Sequence, residues 1–168
     1  MCNVFRAASI WIKVALVSFA VGLLLFVIGF ATTGWMVYPS GSNGLWQTYT
    51  CTRGGCGTYT FFTNNSYHQA IQAMECLGLI GFFLALLFLF LYVFANSCRR
   101  RDILQAVTAL AFAGLAFACI GFAIFGSSTN IENHRGYGGQ VGWSMGLAIG
   151  GAILYAIGGI MLIVQQIR

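Results

Sequence analysis

Four long apolar stretches decide what this chain can become: approximately Val14–Thr33, Ile71–Phe94, Ile103–Phe125 and Val141–Val164. Crossing the hydrocarbon core of a bilayer takes roughly 20 apolar residues in a helix, and each stretch has that length. Inside the core no water meets a backbone N–H or C=O, so a single spanning segment satisfies its own polar groups by becoming a helix. Only 7% of the 168 residues are charged, against about 25% in an ordinary soluble domain. That is too little charge to coat a soluble surface. The expectation is an all-α integral membrane protein: one domain over residues 1–168, four helices up-down-up-down, short connections.

The first stretch follows Arg6 and Lys13 as a signal peptide would. It outruns the roughly 7–15 residues of a signal's apolar region and lacks a small-residue cleavage site, so it reads as a retained span. Basic residues then set orientation. With both termini cytosolic, that side holds Arg6, Lys13, Arg99, Arg100, Arg101 and Arg168, and the other keeps Arg53 and Arg135. This is positive-inside asymmetry, and it predicts a multi-pass protein with both termini cytosolic; the expected location is the plasma membrane. The formal net charge of +5 comes mostly from these flanks and gives no case for nucleic-acid binding. Outside lie a large first loop, about Gly34–Gln69, and a short second one, about Gly126–Gln140. The cytosolic turn and the ending Gln165–Arg168 give a scaffold protein little to grip.

The first loop has the pattern of folded structure. The runs Trp46–Cys51 and Cys56–Phe61 are rich in Thr and aromatic residues, and Arg53-Gly54-Gly55 supplies a turn between them. On the oxidising side, Cys51 and Cys56 are expected to pair. That pairing sets an antiparallel hairpin with Thr48 facing Tyr59, Tyr49 facing Thr58 and Trp46 facing Phe61. Alternation places Trp46, Thr48, Tyr59 and Phe61 on one face, expected to pack toward the membrane or another strand. The alternative is an irregular Gly- and Thr-rich loop with free thiols.

Trp35, then Gly44-Leu45-Trp46, then Cys51 and Cys56 form a pattern that spanning a membrane does not require. It resembles the first extracellular loop of the claudin superfamily, which includes peripheral myelin protein, the epithelial membrane proteins and the lens fibre membrane protein. The resemblance covers the whole chain: four spans, a large first and small second outer loop, and cytosolic termini. It implies a small extracellular β-sheet, formed mainly by the first outer loop, on a four-helix bundle. Tyr137-Gly138 and the short tail look closer to the myelin and epithelial branch. Four residues separate Trp46 from Cys51, where the family usually has two, which marks a divergent member.

Other residues carry two readings each. Trp35 and Trp46 suit either a ligand-binding aromatic pair or structure, with Trp35 at the membrane interface and Trp46 packing the sheet; the structural reading is preferred, and the resemblance points the same way. Asn64-Asn65-Ser66 is an N-glycosylation acceptor motif on the outer side. Glu75, near the outer end of the second span, shares one helical face with His68 and Gln72. It is either an ion or proton site or, as preferred here, part of a helix-end polar cluster bonded inward and reaching Arg53 or Arg135. Gly142, Gly146 and Gly150 recur every fourth residue, a spacing that lets helices approach closely. Packing within the bundle is preferred to a homodimer face, as it is for the weaker pair Gly114 and Ala118. Cys2 and Cys98 are juxtamembrane palmitoylation candidates, while Cys76 and Cys119 read as small apolar packers.

Nothing in the pattern supports catalysis. Two histidines and three acids fall in no spacing suited to a metal or a nucleophile–base pair, and no cofactor motif appears. The expected function is structural: organising cell contacts or membrane domains by self-association through the outer loop and helices. The rivals are an auxiliary channel subunit and a paracellular barrier or pore former. In this loop Arg53 is the only fully charged side chain, which disfavours a cation-selective pathway.

Overall fold

A computed structural model describes residues 9–60, 66–95, 101–127 and 139–167. Four helices, α1 (Ile10–Ala31), α2 (Ser66–Phe94), α3 (Arg101–Ser127) and α4 (Trp143–Ile167), are each long and apolar enough to cross a membrane. Five short strands, β1 (Met36–Tyr38), β2 (Gly41–Asn43), β3 (Gln47–Thr52), β4 (Gly55–Thr60) and β5 (Gln140–Val141), form one antiparallel sheet in the order β4-β3-β2-β1-β5. Four strands come from the connection between α1 and α2. The fifth comes from just before α4.

The helices do not begin and end where apolarity does. Ser9 stands at the start of α1 in extended backbone, and its hydroxyl bonds Gln165 of α4. Lys13 therefore lies inside the helix rather than ahead of it. At the other end of the chain, Val141 is apolar enough to open a span yet belongs to β5, pairing with Met36 while Gln140 pairs with Val37. Gly142 donates its N–H to the Trp35 carbonyl, so the helix starts only at Trp143.

Small residues let the helices meet almost backbone to backbone. On α1, a Cβ at Gly29 would lie 2.7 Å from the Ala148 nitrogen, and one at Gly151 of α4 would lie 2.8 Å from the Phe26 nitrogen. Lipid tails are as apolar as leucine, so such association rests on close van der Waals packing rather than on water exclusion. Gly114 and Ala118 of α3 pack against Gly78 of α2, as their spacing suggests. At the centre the Tyr155 ring stacks between Phe19, with centroids 4.4 Å apart, and Phe82, at 4.0 Å. Its hydroxyl donates to the Phe82 carbonyl at 2.8 Å. One residue of α4 thereby links α1 and α2, each ring pair contributing about 0.5–1.5 kcal/mol.

The row Gly142, Gly146 and Gly150 does not make a helix seam within the bundle. Nothing lies within 4 Å of a Cβ built at Gly146 or Gly150, and Gly142, which precedes the helix, meets Gly34 instead. The reason is phase. Successive residues turn by about 100° around a helix, so Gly150 is rotated away from its buried neighbour Gly151.

Candidate functional site

The site is the joint where the sheet meets the bundle. It begins at the end of α1, where the last carbonyls have no intrahelical partner. Trp35 supplies one: its indole Nε1–H donates to the Gly29 carbonyl at 2.7 Å. The ring is fully buried and packs against Phe125 of α3, centroids 5.2 Å apart, and Phe122, at 6.1 Å. Trp35 is thus held inside the protein rather than on its surface. It bridges α1 and α3, because the indole N–H finds its acceptor inside.

Thr32 and Ser144 close the same corner. Gly34 N–H donates to Ser144 Oγ at 3.0 Å, and Thr32 Oγ1 lies 2.7 Å from both Ser144 Oγ and the Ile28 carbonyl. Ser144 N–H in turn donates to the Gly34 carbonyl. This clasp holds the start of α4 to the end of α1, and Ser144 is completely buried. Sequence reasoning missed it. The available signal was a Thr-Thr-Gly step leaving one apolar run and a Ser opening another, residue types that bond nearby backbone.

The Gly44-Leu45-Trp46 triplet docks the sheet from the other side. Gly44 lies where a Cβ would fall 2.6 Å from Thr33 Cα, so only glycine admits that approach. Leu45 is buried in the bundle core. Its carbonyl accepts from Gln72 Nε2 at 2.8 Å and meets His68 Nε2 at 2.9 Å. Trp46 packs edge-on against Phe30, centroids 5.2 Å apart. His68 and Gln72 thus point inward, as expected of a helix-end polar cluster. Glu75 departs from that expectation: it is fully buried, and neither carboxyl oxygen has a hydrogen-bond partner among the described residues. Its place on α2 lies below the joint, whereas Arg53 is at the exposed hairpin tip.

The hairpin has the expected register. Cys51 and Cys56 are disulfide-bonded, with Thr48 opposite Tyr59 and Tyr49 opposite Thr58. Arg53 and Gly54 form the turn, and Gly55 takes φ +134°, which L side chains rarely adopt. The aromatic face is only partly covered. Trp46 packs on α1, but Tyr59 is 66% exposed because β4 is an edge strand. On the opposite face Val37 and Tyr49 are also exposed. Phe61, Phe62 and Asn64, Cys2 and Cys98, Arg99 and Arg100, and Arg135 and Tyr137 lie outside the described residues. Cys76 and Cys119 are free thiols.

Four apolar helices capped by a disulfide-closed antiparallel sheet, wedged in through Trp35 and Leu45, define a multi-pass membrane protein that carries a folded loop at one end. The chain belongs to the PMP-22/EMP/MP20/Claudin family, matching it over residues 8–162. No individual curated protein matches it. Family membership points to a non-enzymatic, structural membrane protein of junctions or barriers, surrounded by a lipid bilayer.

Proposed function

We propose that this protein organises cell contacts or membrane domains by associating with copies of itself, with the sheet outside the cell and both termini in the cytosol. The observation that carries the reading is the surface the joint holds out. Tyr49, Val37 and Tyr59 are 40%, 39% and 66% exposed on a sheet made rigid by Trp35, Leu45 and the disulfide. Beside Tyr49 and Val37, on their face, stand the exposed Gln47, Thr58, Thr60 and Gln140, while Tyr59 stands on the other face; Arg53 alone is charged on the described sheet. Tyrosine offers large contact area at low entropy cost, and a surface with little charge gives an interface that salt screens little. The open Gly146 and Gly150 on α4 support a second, lateral contact within the membrane.

Cross-linking and cell aggregation with the intact protein, against a variant whose first loop comes from a non-adhesive relative, test this. Association is expected to disappear with the swapped loop and to change little with added salt. A folded, surface-delivered swap that associates as before would place the contact elsewhere. Collapse in modest salt would implicate charges instead. Either result would move the auxiliary channel-subunit reading ahead.

A further inference from the structure

Glu75 takes no part in the joint, although it shares a face of α2 with His68 and Gln72. It lies nine residues into the helix, about 14 Å from the sheet end. Its seat is formed by a missing side chain on α3: a Cβ at Gly121 would lie 2.9 Å from Glu75 Cδ. Next along α3, Phe122 packs toward Trp35, and the Glu75 side chain itself shows no exposed surface. Burial is complete, and both oxygens lack a hydrogen-bond partner among the described residues.

The described groups that face this region offer no counter-charge. On α2 itself His68 is at the Leu45 carbonyl, Tyr67 is exposed and Cys76 is a free thiol. Helix α3 brings Cys119, with Arg101 and Asp102 at its far end, and α1 brings only Lys13, also at its far end. Helix α4 contributes Tyr155, whose hydroxyl is given to Phe82. On the sheet Arg53 is exposed at the hairpin tip, and Tyr38 bonds Asn43. Among the described residues no three of His, Cys, Asp and Glu gather into a ligand set. An unpaired carboxylate here would lose its hydration with nothing in return.

We propose that Glu75 is a proton-binding site, seated on Gly121 as the neutral carboxylic acid, and that its bound proton keeps the sheet ends of α2 and α3 closed. When the O–H bond breaks and the proton leaves to water, a full negative charge remains in the seam. Among the described residues no partner stands ready for it, which leaves water to stabilise it. Water entering there parts α2 from α3 or lifts Leu45 from His68 and Gln72, so docking of the sheet is proton-linked. Low pH favours the neutral acid and a closed joint. Rising pH favours the charged form and loosens the joint.

The test uses the full-length protein in lipid nanodiscs. The chain has three acidic residues, Glu75, Asp102 and Glu132, so combining Asp102→Asn with Glu132→Gln leaves one side-chain carboxyl. At neutral pH the infrared spectrum of that variant is expected to show a carboxylic-acid carbonyl band, lost when Glu75→Gln is added. Absence of an acid band, or a band that Glu75→Gln leaves unchanged, overturns the proposal. Thermal unfolding from about pH 5 to about pH 9, above the range of a solvated glutamate, gives the second readout. The wild-type midpoint is expected to fall as pH rises, and the fall to vanish in Glu75→Gln. Equal falls in both overturn the link to the joint. Should Glu75→Gln not accumulate, the two-site variant decides: acid band and midpoint decline together, or the proposal fails.

Discussion

Helix α4 carries two rows of small residues with opposite fates. Gly151 and Gly158 are closed against α1, where added carbons would strike the backbone at Phe26 and the ring of Phe19. Gly146 and Gly150, on the same helix, have nothing within 4 Å of where a side chain would start. The same division runs through the loop. Trp35 and Leu45 are sealed in the bundle, while Tyr49 and Tyr59 stand exposed. Closed surfaces hold the fold together, and the open ones are free to meet other molecules.

The sharpest way to break that division is to empty a closed position. Trp35→Ala removes the largest buried side chain of the joint and orphans the Gly29 carbonyl. It is expected to cost about 3–5 kcal/mol, read as a lowered unfolding midpoint in detergent. A change below about 1 kcal/mol would mean that the indole is not held as described.

The two rows of α4 offer a neighbour-against-neighbour test. Gly151→Leu forces α1 and α4 apart and is expected to cost about 3 kcal/mol. Gly150→Leu, one residue away, is expected to stay within about 0.5 kcal/mol while weakening lateral cross-linking in the membrane. Equal losses would remove the distinction between closed and open rows.

Removing the disulfide has a smaller and local effect. Cys51→Ser with Cys56→Ser relaxes a loop closed over a sequence separation of 5, at a cost of about 2 kcal/mol in the chain-entropy view. Hydrogen exchange is expected to rise in β3 and β4 and to stay unchanged in the helices. Faster exchange across α1 would show that the bond supports the bundle as well.

These contrasts mark what could be read from residues alone. The register of β3 and β4 was legible because Cys51, Cys56 and the intervening Gly-Gly leave few antiparallel pairings, and a one-residue slip would turn every side chain over. The four helices were legible because their apolar length admits no other form. Which glycines pack was not: spacing along a helix is visible in sequence, but its phase against a neighbour depends on tertiary packing. Ser144 and Thr32 were invisible for a related reason. Their bond joins residues 112 apart, and neither type is unusual at a helix end. Glu75 was visible as an acid within a span, yet its isolation depends on Gly121, which only the packed α2–α3 seam reveals.

The most direct measurement concerns the exposed tyrosines of the sheet, Tyr49 on one face and Tyr59 on the other. Tyr49→Ser with Tyr59→Ser alters two exposed side chains and is expected to change stability by no more than about 0.5 kcal/mol. The disulfide should form and the protein should reach the cell surface. Aggregation of cells expressing the variant is expected to fall to the level of cells lacking the protein, at low and high salt alike. Undiminished aggregation by a folded, surface-exposed variant would contradict the claim that this sheet is where copies of the protein meet.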